Sequence, residues 1–369
     1  TISSKLTSKQ KGDLFEEFAK YIFKNHPWYK DITEKIWLFN EIPETIKKQL
    51  NLPDTDQGID LIMQSVDKKY YAIQAKFRTE KSTEITWKEL ATFAGLTFGV
   101  GNGFYKGIFV TNTISINKTL HKSHNITAIY GDFFDNLEKD FFTSMKSDAN
   151  KQNNLFYPRD YQTKIIDSTV SNFKENDRGY IEMACGSGKT LTAYWINKEM
   201  KNQLSIIAVP SLYLLSQFFD EFSKQANREQ YKQQIILIGS DAEIHDNTYN
   251  NNGLLLTTKV DEITERLKSI NNEIKLIITT YQSSDKVIDA LNQLKLEPDL
   301  LIADEAHKTV GSTNKQFNLL LDDKNLKIKK RLFMTATPKI YNGDDENDDI
   351  VSMDDEKWYG KRICLYNTY

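Results

Sequence analysis

From residue 155 onward the chain repeats one theme. Short, strongly apolar runs recur: YIEMA (180–184), LSIIAVP (204–210), QIILIG (234–239), LLLTT (254–258), KLIITT (275–280), LLIADE (300–305) and RLFMTAT (331–337). Stretches with helical spacing lie between several of them, at 190–200, 211–225 and 284–294. A strand apolar on both faces needs cover on both faces. Strands alternating with helices supply it, as a parallel sheet with helices packed on either side.

The first 145 residues have a different order. Leu14, Phe15, Phe18, Ile22 and Phe23 repeat at helical spacing over 12–24. Residues 59–64 and 70–77 read as a strand hairpin, 86–98 as a helix, and KGIFVTNT (106–113) and ITAIYG (126–131) as further strands. The polar SMKSDANKQNN (144–154) reads as a linker. The expected fold class is thus α/β throughout, in two domains.

Composition narrows the classes. No apolar run approaches the roughly 20 residues that span a bilayer, and the first residues carry no apolar signal segment. Cys185 and Cys364 form neither a zinc-type cluster nor a disulfide framework, which fits a reducing cytoplasm. The formal net charge is -3, but eight acidic residues gather between Asp344 and Glu356, so the remainder is net positive and leaves room for basic surfaces. The acidic run reads as a solvated loop.

EMACGSGKT (182–190) follows a strand and opens a helix. Gly186 and Gly188 let the backbone around Ser187 curl so that successive N–H groups face phosphate oxygens, at a helix N-terminus whose dipole favours them. Lys189 supplies a charge for the β and γ phosphates, and the Thr190 hydroxyl suits a magnesium ion. Met183 stands where the general phosphate-loop pattern has its first glycine. LLIADEAHK ends a buried strand on Asp304 and Glu305, the edge at which parallel sheets bind ligands. There Asp304 can hold magnesium through water and Glu305 can polarise an attacking water. ATP and Mg2+ are the cofactors these residues imply.

In MACGSGKT, DEAH (Asp304, Glu305, Ala306, His307) and TAT (Thr335, Ala336, Thr337) the chain resembles the superfamily 2 helicases and translocases over about 155–340. The fold this implies is a RecA-like parallel-sheet P-loop domain. The resemblance extends to FYPRDYQTKII, which implies an adenine-reading role for Gln162 and a nucleotide-site role for His307, and to VPSLYLLSQF and TTYQSS, which imply a grip on a nucleic-acid backbone. A second motor domain carrying an arginine finger is expected after Tyr369.

The hairpin DQGIDLIMQSVDKKYYAIQAKF (56–77) carries Gln74 and Lys76 on an otherwise apolar strand. Ala72, Gln74 and Lys76 share one face, and Tyr71, Ile73, Ala75 and Phe77 the other. An odd-numbered turn, such as 67–69, brings Asp60 opposite Lys76 and onto the same face. One reading is that Lys76 only carries its ammonium past the core to water. Another is that Asp60 and Gln74 ligate magnesium, Lys76 faces the reacting phosphate, and Glu16 on the first helix adds an oxygen. FE, GID and QAK at these positions resemble the Mrr-like branch of the PD-(D/E)xK nucleases, implying a restriction-endonuclease-like α/β domain. His121 and His124 lack partners at ligand spacing, and Trp28, Trp37 and Trp87 read as core residues before base-stacking ones.

The expected organisation is a nuclease domain at 1–145, a linker at 146–154, a first motor domain at 155–345, and an acidic loop at 346–369 leading into the second motor domain. This order resembles the single-polypeptide type I (type ISP) restriction enzymes. There a methyltransferase and a target-recognition domain follow, and the motor runs along double-stranded DNA. Two alternatives stay open: a helicase of replication, repair or viral transcription with a degenerate nuclease, and a nucleic-acid-binding, ATP-sensing module without turnover.

Overall fold

The computed structural model describes residues 6–55, 57–114, 125–137, 141–142, 156–240, 253–268, 274–312, 316–340 and 350–366. The chain divides into two units, Thr1–Gln152 with Thr248–Leu255, and Asn153–Asn247 with Leu256–Tyr369. His121, His124 and the acidic residues from Asp344 to Asp349 lie outside the described residues.

In the first unit, helix α1 (Ser8–Asn25) opens on a capping box between Thr7 and Gln10. It is followed by β1 (Thr33–Leu38), α2 (Glu44–Gln49), β2 (Leu61–Ser65), β3 (Tyr70–Lys76), α3 (Trp87–Ala94), β4 (Phe104–Thr111), β5 (Ile126–Ile129) and α4 (Gly131–Asp135). The strands form a mixed sheet in the order β1-β2-β3-β4-β5, antiparallel from β1 to β3 and parallel from β3 to β5. Each face carries its own core. Phe15, Ala19, Ile22 and Phe23 of α1 pack with Leu61, Met63, Tyr71, Ile73 and Ala75. Leu90 and Phe93 of α3 pack with Ile62, Ala72 and Phe109. The face assignment of β3 is the one its alternation predicts.

The hairpin register differs from the expected one. Leu61 pairs with Ile73 and Met63 with Tyr71, and Ser65 N–H donates to Lys69 O (2.9 Å). The turn is therefore 66–68, with Lys68 at φ 63, in the left-handed region. It still holds three residues, so the parity survives. Continuing the ladder sets Asp60 across from Gln74 rather than Lys76. Strand β1 was not expected: Glu34 and Lys35 interrupt its apolar pattern, and at the sheet edge it buries little. Of the tryptophans, Trp28 and Trp37 pack against the cores. Trp87 does not: it is 54% exposed at the start of α3, where a helix's first turn stands clear of the sheet.

In the second unit, α5 (Asp160–Asn172), β6 (Arg178–Met183), α6 (Lys189–Glu199), β7 (Leu204–Val209), α7 (Leu212–Arg228), β8 (Gln233–Ile238), α8 (Val260–Lys268), β9 (Ile274–Thr280), α9 (Ser284–Leu294) and β10 (Leu300–Asp304) alternate as the sequence predicts. They are followed by β11 (Gly311–Ser312), β12 (Lys330–Thr335), β13 (Ile350–Val351), α10 (Glu356–Tyr359) and β14 (Lys361–Tyr366). Seven strands form one sheet in the order β14-β6-β12-β10-β7-β9-β8, every neighbouring pair parallel. Two expectations fail. LLLTT is buried but forms only a single bridge, Ile238 to Thr257; Gly253 ahead of it gives its carbonyl to Tyr29 and Leu255 packs in the first unit's core. YGKRICLY, read as a lead-in to another domain, instead forms β14, the edge strand beside β6. Its alternating Ile363 and Leu365 are too few to mark it as a strand in sequence.

Arg331 begins the apolar run of β12 yet is 1% exposed. Its guanidinium donates to the carbonyls of Leu320 (2.9 Å), Ile328 (3.2 Å) and Leu326 (3.1 Å), and pairs with Asp323 (2.7 Å). One side chain thus satisfies the loop between residues 320 and 328. Arg331→Ala is expected to destabilise the second unit by about 3 kcal/mol, because buried carbonyls lose their donors. Thermal unfolding checks this; a melting temperature unchanged within a degree would refute it.

Candidate functional site

The two units each assemble a polar cluster, and both sit where strands end.

In the second unit the phosphate loop leaves β6 and turns into α6. Gly186 and Gly188 adopt φ 74 and 77. At Gly188 a side chain is doubly excluded, since an added Cβ would lie 2.9 Å from Gln162 Nε2. Ser187 folds its hydroxyl onto Ala184 O (2.6 Å). Cys185 is exposed on the loop. Gln162 donates to Gly188 O (3.3 Å) and Thr192 Oγ1 (3.0 Å) and accepts from Arg159 N–H (3.0 Å), so its amide is tied to the loop and to its own helix start. Thr190 is buried in the first turn of α6, within hydrogen-bond reach of Glu221.

Strand order then does the assembly. β12 lies between β6 and β10, so the three motifs meet at one edge. Lys189 Nζ lies 3.0 Å from Glu305 Oε1. The other oxygen of Glu305 faces His307 Nδ1 at 3.3 Å, and the same nitrogen is 3.0 Å from Thr335 Oγ1. The chain Lys189–Glu305–His307–Thr335 links all three motifs, and His307 faces Thr335 in it. Glu305 holds a left-handed backbone (φ 49, ψ 46), the kind of strained conformation that gathers at functional positions. Burial pushes the His307 imidazole down from its usual range, against the pull of Glu305, so it is neutral at pH 7.

Asp304 is buried, and among the described residues its Oδ1 has no hydrogen-bond partner. Burial, opposed by Lys189 and reinforced by Glu305, pushes its carboxyl up to about 6. An orphaned buried carboxylate oxygen beside a phosphate loop fits a hydrated magnesium ion. Without such a ligand the ionised form is costly. The folded value lies above the unfolded one, so this contribution to stability is complete below about pH 4 and lost as pH rises through 6. Asp304→Asn, measured without nucleotide or magnesium, is expected to gain about 3 kcal/mol at pH 8 and nothing near pH 4. A pH-independent difference in melting temperature would refute it.

Two tyrosines were missed. Tyr161 O–H donates to Ser187 O (2.8 Å) and its ring stacks on Tyr366 at 4.0 Å and 8°. Tyr281 O–H donates to Asp304 O (2.7 Å), fixing the end of β10. Tyr161 precedes Gln162, but nothing in the sequence pairs it with a residue of β14.

In the first unit Asp60 and Gln74 are both 8% exposed. Asp60 Oδ2 accepts from Ala75 N–H at 2.6 Å, which pins the carboxylate onto β3. Gln74 Nε2 would lie 3.2 Å from a Cβ at Gly58, whose φ of +124 also demands glycine. Among the described residues Gln74 Oε1 has no hydrogen-bond partner. A buried amide oxygen without a donor, beside a buried carboxylate, fits a hard divalent cation that takes its other ligands from water and phosphate. No group of three or more His, Cys, Asp or Glu side chains gathers at metal-binding distance among the described residues. Glu16 follows Phe15, whose ring meets Phe77 at 5.8 Å, so it lies by the Lys76 end of β3 on the layer opposite Gln74. Lys76 is part-exposed, and its Nζ lies 3.9 Å from Glu89 Oε1 on α3. Glu89 was missed because TWKE reads in sequence as a helix start and nothing more.

Comparison with known proteins gives the same two-part division. The family model described as "Type III restriction enzyme, res subunit" matches residues 155–340, and a "Restriction endonuclease" model of the Mrr type matches residues 24–151. The African swine fever virus protein named "Probable helicase A859L" is 30% identical over 181 residues, 48% of this chain and 19% of its own length. "Putative helicase 22" of a Sulfolobus islandicus filamentous virus is 32% identical over 189 residues, 50% of this chain and 28% of its own length. The ATP-dependent type ISP restriction-modification enzyme LlaBIII, solved bound to DNA, superposes with a TM-score of 0.76 at 25% identity over 97% of this chain and 24% of that enzyme. The chain therefore spans only 19–28% of the length of these relatives. Among the described residues no helix is long and apolar enough to cross a membrane. With half of its residues inside the matched segment, and a match to the Mrr-type restriction endonuclease model ahead of it, the chain belongs to the family of the type III restriction enzyme res subunit.

Proposed function

We propose that the chain forms the nuclease and first motor domain of an ATP-driven restriction endonuclease that translocates on double-stranded DNA and cuts it. The observation that carries this reading is the presence, in one chain, of two centres built for phosphate chemistry: the Lys189–Glu305 pair at 3.0 Å, and the buried Asp60 beside the unpartnered oxygen of Gln74.

In the motor, the N–H groups around Gly186–Thr190 and Lys189 hold the phosphates of ATP, with Gln162 at the base. Thr190 and Asp304 would hold magnesium, whose charge offsets that developing on the phosphate oxygens. Glu305 orients the attacking water, and neutral His307 ties Glu305 to Thr335, so nucleotide state can reach the strand β12. A second motor domain supplies the arginine that completes hydrolysis.

In the nuclease, Asp60 and Gln74 would hold magnesium, which lowers the cost of forming hydroxide and a pentavalent phosphate. Lys76 stabilises charge on the scissile phosphate, and Glu16 on α1 is a further acid at this end of β3. The protein acts away from membranes, in the cytoplasm. Duplex DNA as the track is supported by the likeness to LlaBIII, which was solved bound to DNA.

The test is cleavage of duplex DNA by the full-length protein with magnesium, with and without ATP. Cutting that requires both fits the proposal. ATP hydrolysis without any cutting would instead favour a helicase with a degenerate nuclease, a reading that Gln74 in place of a carboxylate keeps in view.

A further inference from the structure

Lys76 ends β3, and what lies around it is more heavily fixed than a surface lysine requires. Glu89, at the third position of α3, accepts from Thr86 N–H (3.0 Å) and Thr86 O–H (2.9 Å) through Oε2, a capping box that sets the carboxylate's orientation. Its Oε1 faces Lys76 Nζ at 3.9 Å and also receives the guanidinium of Arg78. Arg78 is itself held: its N–H donates to Asn112 Oδ1 (2.7 Å) and its carbonyl accepts from Asn112 Nδ2 (2.7 Å). Asn112 directly follows Thr111, the partner of Lys76 in the parallel β3–β4 ladder. A side chain thus continues the pairing of the two segments past the strand's end. Burial acts to raise the Glu89 carboxyl, but the bonds from Thr86 and Arg78 outweigh it and hold the group below its ordinary range, ionised. Helix α3 covers the same face of the sheet as Ala72, the face shared by Gln74 and Lys76.

We propose that Glu89 is the positioning residue for Lys76: its carboxylate, oriented by the helix cap and shared with Arg78, sets where the lysine ammonium stands beside Asp60 and Gln74. This rests on the reading of those three residues as a cleavage centre. The loose contact to Lys76 and the close one to Arg78 have distinct consequences. Lys76 can leave Glu89 for a phosphate oxygen, while Arg78 stays and no half-buried carboxylate is left without a cation. Arg78 is the reserve partner that makes the lysine's movement inexpensive.

Glu89→Gln in the full-length protein separates charge from structure, because glutamine also completes a capping box. Two readouts are needed. Acylation of Lys76 by an N-hydroxysuccinimide ester, followed by mass spectrometry, is expected to be several-fold faster in E89Q than in the wild-type protein. Magnesium-dependent cleavage is expected to fall about tenfold in turnover with the Kd for DNA unchanged, and E89Q is expected to add no further loss to Lys76→Ala. Wild-type labelling of Lys76 in both E89Q and E89A overturns the inference whether or not DNA is cut. Cleavage by E89Q within twofold of wild type overturns it as well. A wild-type protein that does not cut removes the nuclease reading instead, and the labelling rates then still decide whether Glu89 holds Lys76.

Discussion

Lys189→Ala in the full-length protein is expected to lower DNA-stimulated ATP hydrolysis by about a hundred- to a thousandfold, the loss that follows removal of one preorganised charge contact at a transition state. Lys189 meets Glu305 at 3.0 Å, and in the proposed reading it also clamps the phosphates. Removing it takes away the proposed phosphate clamp and, among the described residues, leaves Glu305 its contact with His307. The motor should therefore retain its fold while losing turnover. Circular dichroism and a melting temperature close to wild type, together with the lost activity, are the expected pair of results. Turnover within twofold of wild type would rule out Lys189 as the phosphate contact. Any DNA nicking that does not depend on translocation should persist in this variant.

Asp60→Ala and Lys76→Ala carry the second large effect. Each is expected to reduce magnesium-dependent cleavage by about a hundredfold or more while ATP hydrolysis stays within about twofold of wild type. The two centres lie in separate structural units. Asp60→Ala also removes the acceptor for Ala75 N–H, and Asp60→Asn is the control that keeps a group there. If Lys76 served only to bring its stem past the core, K76A would cut at the wild-type rate.

The motor was the more legible half, and the reason is physical. Apart from the edge strand β14, its long strands are largely buried, so they announce themselves as apolar runs, and the functional motifs fall at strands' carboxyl ends. The nuclease hairpin gave its face pattern by alternation, yet its register depended on whether Val66 or Asp67 opened a three-residue turn. Lys68, the last residue of the turn, takes the left-handed backbone without being glycine, and no local signal marks that. Contacts between distant segments were unreadable for a related reason. Glu89 meets Lys76 because α3 covers one face of the sheet, and Tyr161 meets Tyr366 because β14 pairs with β6; neither arrangement is written in the spacing of residues. Edge strands β1 and β14 escaped notice because an edge needs apolar residues on few of its positions.

The order β6-β12-β10 has a consequence for how the motor acquires its activity. Lys189 and Glu305 are separated by 116 residues in sequence but by only two strand spacings, roughly 10 Å, in the sheet. Closing so long a loop carries an entropy cost that nearby helical turns do not face, so contacts of this kind form late. Helices α5 to α9 can form before the centre closes, and on the proposed reading a late step of folding is expected to create the phosphate grip. In refolding from denaturant, binding of a fluorescent ATP analogue should lag behind the recovery of helical signal. If binding instead returned in the dead time, the phosphate grip would have to be a local property of the loop rather than of the finished sheet.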